Sequence, residues 1–232
     1  MRSKKQIDYL KKSHSDAIIL KYNLSHKLIT QLLDFYFSSN STIVKNTGPK
    51  ILKIEESNSL LLPIIKSIKK EIGEFRIRYA HIFDVSFPHI IHNDDTNEYP
   101  SSYKAFTIPL KIYGQSNDIS LVVFDQYYYG GAVKFVQGDH IDKETKIYYN
   151  QYLTNYNDVE GLNSKGIDDK IKKKYLSHLQ NSWLEGLSIN KMLPWKVGSI
   201  LCFDSLALHC STDFRNVNVQ RKIGLSIFTL ID

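Results

Sequence analysis

The sequence predicts a mainly β protein of the sandwich type, of which jelly rolls are one class, with helices flanking it on the N-terminal side. Three observations carry this. From Glu74 onward, short runs rich in Ile, Val, Phe and Tyr recur between turn-forming residues, the pattern of many short strands. Before Glu74 the apolar residues fall at helical spacing instead. The chain has 232 residues, 42% of them hydrophobic, which suits one sizeable core and one domain, 1–232, of the larger kind.

Residues 1–73 read as a helical N-terminal flank. A polar lead-in over 1–16 gives way to a short strand at 16–22. Ser25 then caps a helix over 26–37, whose apolar face is Leu28, Ile29, Leu32, Leu33 and Tyr36. Residues 38–50 are rich in Ser, Asn, Thr, Gly and Pro and read as loop. A second helix runs to Ile72 on the stripe Leu61, Ile64, Ile65, Ile68 and Ile72. Its start falls near 60–62, because Pro63 is tolerated only in a first turn. Strands follow at 75–83, 104–113, 119–124, 132–136, 199–203 and 223–230. Between the last two groups and the earlier ones lies a polar insert, about 137–194, carrying Tyr148, Tyr149, Tyr152 and Tyr156. It continues into a basic, helical stretch over 168–179 with Lys170, Lys172, Lys173 and Lys174.

A net charge of +6 and a pI near 9.0 permit attraction to anionic small molecules or nucleic acid. The chain is rich in Lys, Ile, Asn and Tyr throughout, so the lysine cluster reads first as solvated helix surface. No run of about 18 apolar residues is present, which argues against a membrane span. Residues 1–6 lead into polar sequence and give no secretory signal. Cys202 and Cys210 read as two buried thiols in a reducing cytoplasm.

Two segments carry the chemistry. One is His92-Asn93-Asp94; the other runs from His209 to Arg221. Two imidazoles and one carboxylate suit a mononuclear Fe(II) and leave three positions free for a co-substrate and O2. His92 and Asp94, two residues apart, share one side of an extended chain. His209 follows the apolar run 198–204 and a short turn. Arg221 heads the last strand, and its planar fork suits the distal carboxylate of 2-oxoglutarate. Lys222, adjacent to it, faces the other side of that strand; Arg221 is preferred for its bidentate fork, and Arg215 reads as a loop charge. Tyr103 and Thr107 offer hydroxyls to 2-oxoglutarate, and strand packing explains them equally. His89, three before His92, has no paired carboxylate; with His81 it reads as lining the pocket or packing in the core. His140 lies in a turn, and His178 on a helix face. Tyr127-Tyr128-Tyr129 reads either as substrate-site lining or as strand-end aromatics.

His92, Asp94, His209 and Arg221, with the strand-like 194–204 before the distal histidine, resemble the Fe(II)/2-oxoglutarate-dependent dioxygenase superfamily in the style of its phytanoyl-CoA-hydroxylase-like branch. The likeness spans about 85–230. It implies a double-stranded β-helix (jelly roll, cupin-like) with flanking helices. It also implies an oxygenase that oxidises a small molecule and releases succinate and CO2. One departure is the turn after 119–124, Asp125 to Gly131, where many members carry a Gly-rich, Ser-His-containing sequence. Asp94 stands where related halogenases have a small residue, which favours hydroxylation, demethylation or desaturation. Two other functional classes stay open: the same chemistry on a protein or nucleic acid, and a non-catalytic jelly-roll binder.

Overall fold

The computed structural model describes residues 2–39, 50–95, 102–115, 118–131 and 159–231. The flank holds α1 (Lys4–Lys11), β1 (Ile18–Asn23), α2 (His26–Ser38), β2 (Lys50–Lys53) and α3 (Leu62–Ile72). Then come β3 (Arg76–Val85), β4 (Ser102–Gly114), β5 (Ser120–Tyr128), β6 (Val159–Glu160), α4 (Asp169–Tyr175), β7 (Ile189–Pro194), β8 (Ser199–Asp204), β9 (Ala207–Ser211) and β10 (Val219–Leu230).

The strands form two antiparallel sheets. The larger has the order β1-β8-β4-β10-β3-β2; in the smaller, β5 pairs with β6, β7 and β9. Residues 89–94, although not a regular strand, lie against β9. His92 and His209 exchange both backbone hydrogen bonds, at 3.0 and 2.9 Å, and Ser211 N donates to His89 O at 3.2 Å. From β3 onward the chain therefore alternates between layers: β3 in the larger sheet, 89–94 in the smaller, β4 back in the larger. β5 and β7 lie in the smaller sheet, β8 in the larger, β9 in the smaller and β10 in the larger. That winding is the double-stranded β-helix, a jelly roll.

Alternation along each strand sorts the apolar residues into layers. On the outer face of the larger sheet, Ile223, Leu225 and Ile227 of β10 pack with Ile82 and Phe106 against Leu32 of α2 and Ile64 and Ile68 of α3. Between the sheets, Ala105, Leu201 and Phe203 meet Leu121, Val123, Leu193 and Ala207. Outside the smaller sheet, Val122, Phe124 and Leu208 are covered by Leu176, Trp183 and Leu187.

The flank follows its sequence signals. Ser25 Oγ accepts from Leu28 N at 3.3 Å, capping α2. Pro63 sits in the first turn of α3. Ser3 and Gln6 form a capping box that starts α1 in what reads as a polar lead-in. The insert is where the structure differs. Its C-terminal end, β7, is a sheet strand paired with β5, and Gln126 ties the neighbouring loops to β5, donating to Gly161 O and accepting from Ser188 N. α4 ends at Tyr175, so His178 lies beyond the helix and not on its face. Lys172 and Lys174 pair with Asp169 and Asp118, as a solvated surface does. The strand expected at 132–136, His140 and the insert tyrosines 148, 149, 152 and 156 lie outside the described residues. Among the described residues no helix is long and apolar enough to cross a membrane, and both cysteines are free and buried.

Candidate metal centre

His92 and His209 are directly opposite one another across the 89–94/β9 pairing, so their side chains leave the backbone on the same face. Asp94, two residues on, returns to that face. One ligand atom from each of the three lies within 4.8 Å of the others. His209 Nε2 is 3.2 Å from one Asp94 oxygen and His92 Nε2 is 3.7 Å from the other.

The outer nitrogens of the two rings set their tautomers. His92 Nδ1 lies 2.8 Å from Ile90 O, and His209 Nδ1 lies 3.0 Å from Ala207 O. A carbonyl only accepts, so each Nδ1 donates there, and a cation held beside Asp94 would take the lone pair of each Nε2. This is how metal-binding histidines are commonly oriented. Two bare imidazole nitrogens and a carboxylate fit a divalent first-row cation with open positions.

The loop is clamped from behind. Asn93 is buried and donates to Tyr128 O and Gly131 O, both at 3.1 Å. Asp94 N donates to Ser205 O at 2.8 Å. Asp95 is buried in a bidentate pair with Arg2, whose second bond to it is 2.7 Å, so the N-terminal strap braces the ligand loop. Burial pushes the His92 imidazole well below its usual range, helped by His89 and His209. Burial alone would raise Asp94, but His209, then His92 and His81, outweigh it and hold the carboxyl below the usual range. Burial thus favours the neutral form of His92 beside an ionised Asp94, the forms in which both can hold a cation.

His89 is not part of the triad. Its Nδ1 lies 3.0 Å from His92 Nδ1, behind the ring, where it accepts. His178 supports that rear side, its Nε2 3.3 Å from His89 O, and burial lowers it to about 4.

Arg221 is not brought to the triad. Its Nε donates to Asp84 Oδ1 at 2.6 Å, its Nη2 to Asp84 Oδ2, and its guanidinium lies 4.7 Å from the Tyr113 ring centroid. Asp84 also accepts from Tyr36 Oη of α2 at 2.8 Å, which places this network on the helix-covered side of the larger sheet. Lys222 instead points between the sheets. It is 4% exposed; its Nζ donates to Ser211 Oγ at 2.8 Å and lies 4.0 Å from the Trp195 ring centroid. Ser211 is two residues after His209 on the same strand. No carboxylate among the described residues pairs with Lys222, and burial lowers its pKa to about 7.

Thr107 lies on the inner face, opposite Ser226, which is in turn opposite His81. Tyr103 packs with the helix-side cluster, away from the triad. Tyr127 and Tyr129 are structural: Tyr127 Oη donates to Asp204 at 3.0 Å, and its ring stacks on His14 at 4.0 Å. Asp204 also holds the buried Lys104, a pair that no spacing in the sequence announced.

No protein-family model matches this chain, and no curated protein matches it in sequence. Solved structures match it in fold. The non-heme alpha ketoglutarate dependent epimerase SnoN from nogalamycin biosynthesis aligns over 98% of this chain and 83% of its own, at TM-score 0.52 and 8% identity. SnoN in complex with Fe3+, alpha ketoglutarate and nogalamycin RO gives TM-score 0.50 at 9% identity over 98% and 84%. EvdMO1 gives 0.50 at 12% identity over 98% of this chain and 49% of its own. At such identities the likeness is one of fold.

Proposed function

We propose that this protein is an Fe(II)- and 2-oxoglutarate-dependent oxygenase of a small molecule, with residues 1–232 as one oxygenase domain. The observation that carries the reading is the convergence of His92, Asp94 and His209 with both Nδ1 protons donated to backbone carbonyls. The shared fold with SnoN, an alpha ketoglutarate dependent enzyme, supports it. In this reading His92 Nε2, Asp94 and His209 Nε2 hold the metal. When bound, Fe(II) with 2-oxoglutarate and O2 supplies the oxidising chemistry that yields succinate and CO2 and attacks a C–H bond.

The rest falls to the chain. Lys222, in place of Arg221, takes the distal carboxylate of 2-oxoglutarate. It is the inward-facing cation near β9, and a carboxylate would supply the counter-charge it lacks. Ser211 holds its ammonium in place, and Thr107 offers a hydroxyl on the same inner face. Lys222 must be protonated to do this, so binding of 2-oxoglutarate draws up a proton as pH rises past about 7. The enclosing sheets exclude water from the reacting groups. The reading stays at the level of the superfamily, because Arg221, which carried the likeness to the phytanoyl-CoA-hydroxylase-like branch, is engaged on the other face.

Anaerobic addition of Fe(II) and then 2-oxoglutarate tests this. A weak visible charge-transfer band is expected; a non-catalytic binder would give none.

A further inference from the structure

The inner face of the larger sheet carries a feature that the metal reading leaves unused. Register pairs Phe228 with Tyr79, Ser226 with His81 and Gly224 with Phe83, so Tyr79, His81 and Phe83 of β3 share a face with Phe228 of β10. Their rings form one array. Tyr79 and His81 are 5.1 Å apart between centroids; Phe228 lies 6.3 Å from Tyr79, at 16° between planes, and 5.6 Å from His81, at 27°. Phe83 meets Trp195 edge-on at 6.0 Å.

Gly224 permits that last contact. A Cβ there would lie 2.6 Å from Phe83 Cζ and 3.1 Å from Trp195 Cζ2. Phe83 and Trp195 therefore close over Gly224 and divide the inner row of β10 into two ends. At one end is Lys222, against Trp195. At the other are His81, Tyr79 and Phe228. That second end lies toward the metal centre: Phe228 is opposite Ala105 of β4, Ala105 is opposite Phe203 of β8, and the Phe203 ring lies 4.5 Å from the His209 ring between centroids.

Three properties distinguish this array from ordinary core. Tyr79, His81, Phe83 and Phe228 all keep part of their surface exposed. His81 Nδ1 is buried without a hydrogen-bond partner, which is costly unless something supplies one. The array also carries no Lys, Arg, Asp or Glu side chain, and Lys53, opposite His81 at the sheet edge, has its own partner in Glu55. Flat, partly exposed rings favour a flat ring laid against them over a saturated one of equal size.

Resting on the metal-centre reading, we infer that this array is the substrate platform. It takes an uncharged small molecule with a planar ring system, stacked on Tyr79, His81 and Phe228, with one edge presented to His92, Asp94 and His209. The division at Phe83 and Trp195 keeps this ligand apart from the carboxylate held at Lys222.

The test uses the full chain loaded with Co(II) and 2-oxoglutarate, with 2-naphthol and decahydro-2-naphthol as probes. Calorimetry should give 2-naphthol an affinity about tenfold above its saturated counterpart. Co(II) should broaden the naphthol proton resonances where Zn(II) does not. Tyr79→Leu and Phe228→Leu should each erase most of the preference while the Co(II) absorption spectrum persists. Equal affinities for the two probes overturn the platform, as does a preference unchanged in both variants. A single-stranded oligonucleotide that displaces naphthol at lower concentration than naphthol itself binds overturns the small-molecule assignment. If Co(II) gives no spectrum, the metal reading fails. The naphthol preference of the metal-free protein then decides the platform separately.

Discussion

The two faces of β10 carry neighbouring cations to opposite ends. Arg221 shares its face with Ile223, Leu225 and Ile227, under the helices, and donates in a bidentate fork to the buried Asp84, whose carboxylate also accepts from Tyr36 Oη of α2. Lys222 shares its face with Gly224, Ser226 and Phe228, between the sheets, and among the described residues meets a hydroxyl and the faces of Trp195 and Phe214 but no carboxylate. The better carboxylate-binding group by chemistry is thus engaged in the fold, and the lesser one has no carboxylate partner among the described residues. A charged side chain inside a protein is costly unless it is paired. Arg221 has its counter-charge in the fold; among the described residues Lys222 has none, which fits the proposed site for an anion. In the proposed reading, the geometry of the strand, not the intrinsic quality of the guanidinium, decides which residue would serve a ligand.

The comparison can be broken at several points. Replacing His92, Asp94 or His209 with Ala should abolish Fe(II) binding and 2-oxoglutarate turnover entirely; full metal affinity in any one of the three rejects that residue as a ligand. Asp84→Ala, on the outer face, leaves Arg221 without its carboxylate and should cost stability, but less than the roughly 3–5 kcal/mol of a broken buried pair, because a third of the Arg221 side chain is in solvent. It should leave the 2-oxoglutarate requirement unchanged, as a denaturant melt and a co-substrate titration would reveal together. Arg221→Ala should cost more, approaching roughly 3–5 kcal/mol, since it leaves the buried Asp84 carboxylate without a counter-charge.

Lys222→Met, on the inner face, should raise the 2-oxoglutarate concentration needed by about 10- to 100-fold, the value of a hydrogen bond to a charged group. Its effect on stability has a definite sign. The folded-state pKa of Lys222 is lowered to about 7, below its unfolded value. Between there and the ordinary lysine range the unfolded chain holds more protons than the folded one. The unliganded protein should therefore gain stability as pH rises through that window. This group's share of the gain should vanish in Lys222→Met, and denaturant midpoints at pH 7 and pH 9 for both proteins measure it. A midpoint difference that survives the substitution unchanged would locate the effect elsewhere.

The helical flank was legible because its signals are local: Ser25 caps α2 and Pro63 marks the first turn of α3, each acting within one turn of chain. The triad was legible as ligand types at strand spacing. β9 was not, because every residue of Ala207–Ser211 is buried and a strand covered on both faces shows no alternation. β7 was missed for the opposite reason: Asn190, Lys191 and Pro194 make it read as part of a polar insert. The sequence placed Arg221 and Lys222 on opposite sides of one strand. Which side was the interior depended on helices α2 and α3 covering one face of the larger sheet, and on Asp84, more than a hundred residues away, answering Arg221. Pairings at that distance leave no local trace. Likewise nothing in the spacing of Tyr79, His81, Phe83 and Phe228 joined them into one array; the β3–β10 register did.

The central claim is that a metal centre at His92, Asp94 and His209 works with the unanswered charge of Lys222. The most direct measurement is the anaerobic Fe(II)/2-oxoglutarate band followed across a 2-oxoglutarate titration in the wild type, Arg221→Ala and Lys222→Met. The account predicts the same half-saturation in the wild type and Arg221→Ala, and a shift of at least about tenfold in Lys222→Met. A shift in Arg221→Ala with Lys222→Met unchanged, or no band in any of the three, would contradict it.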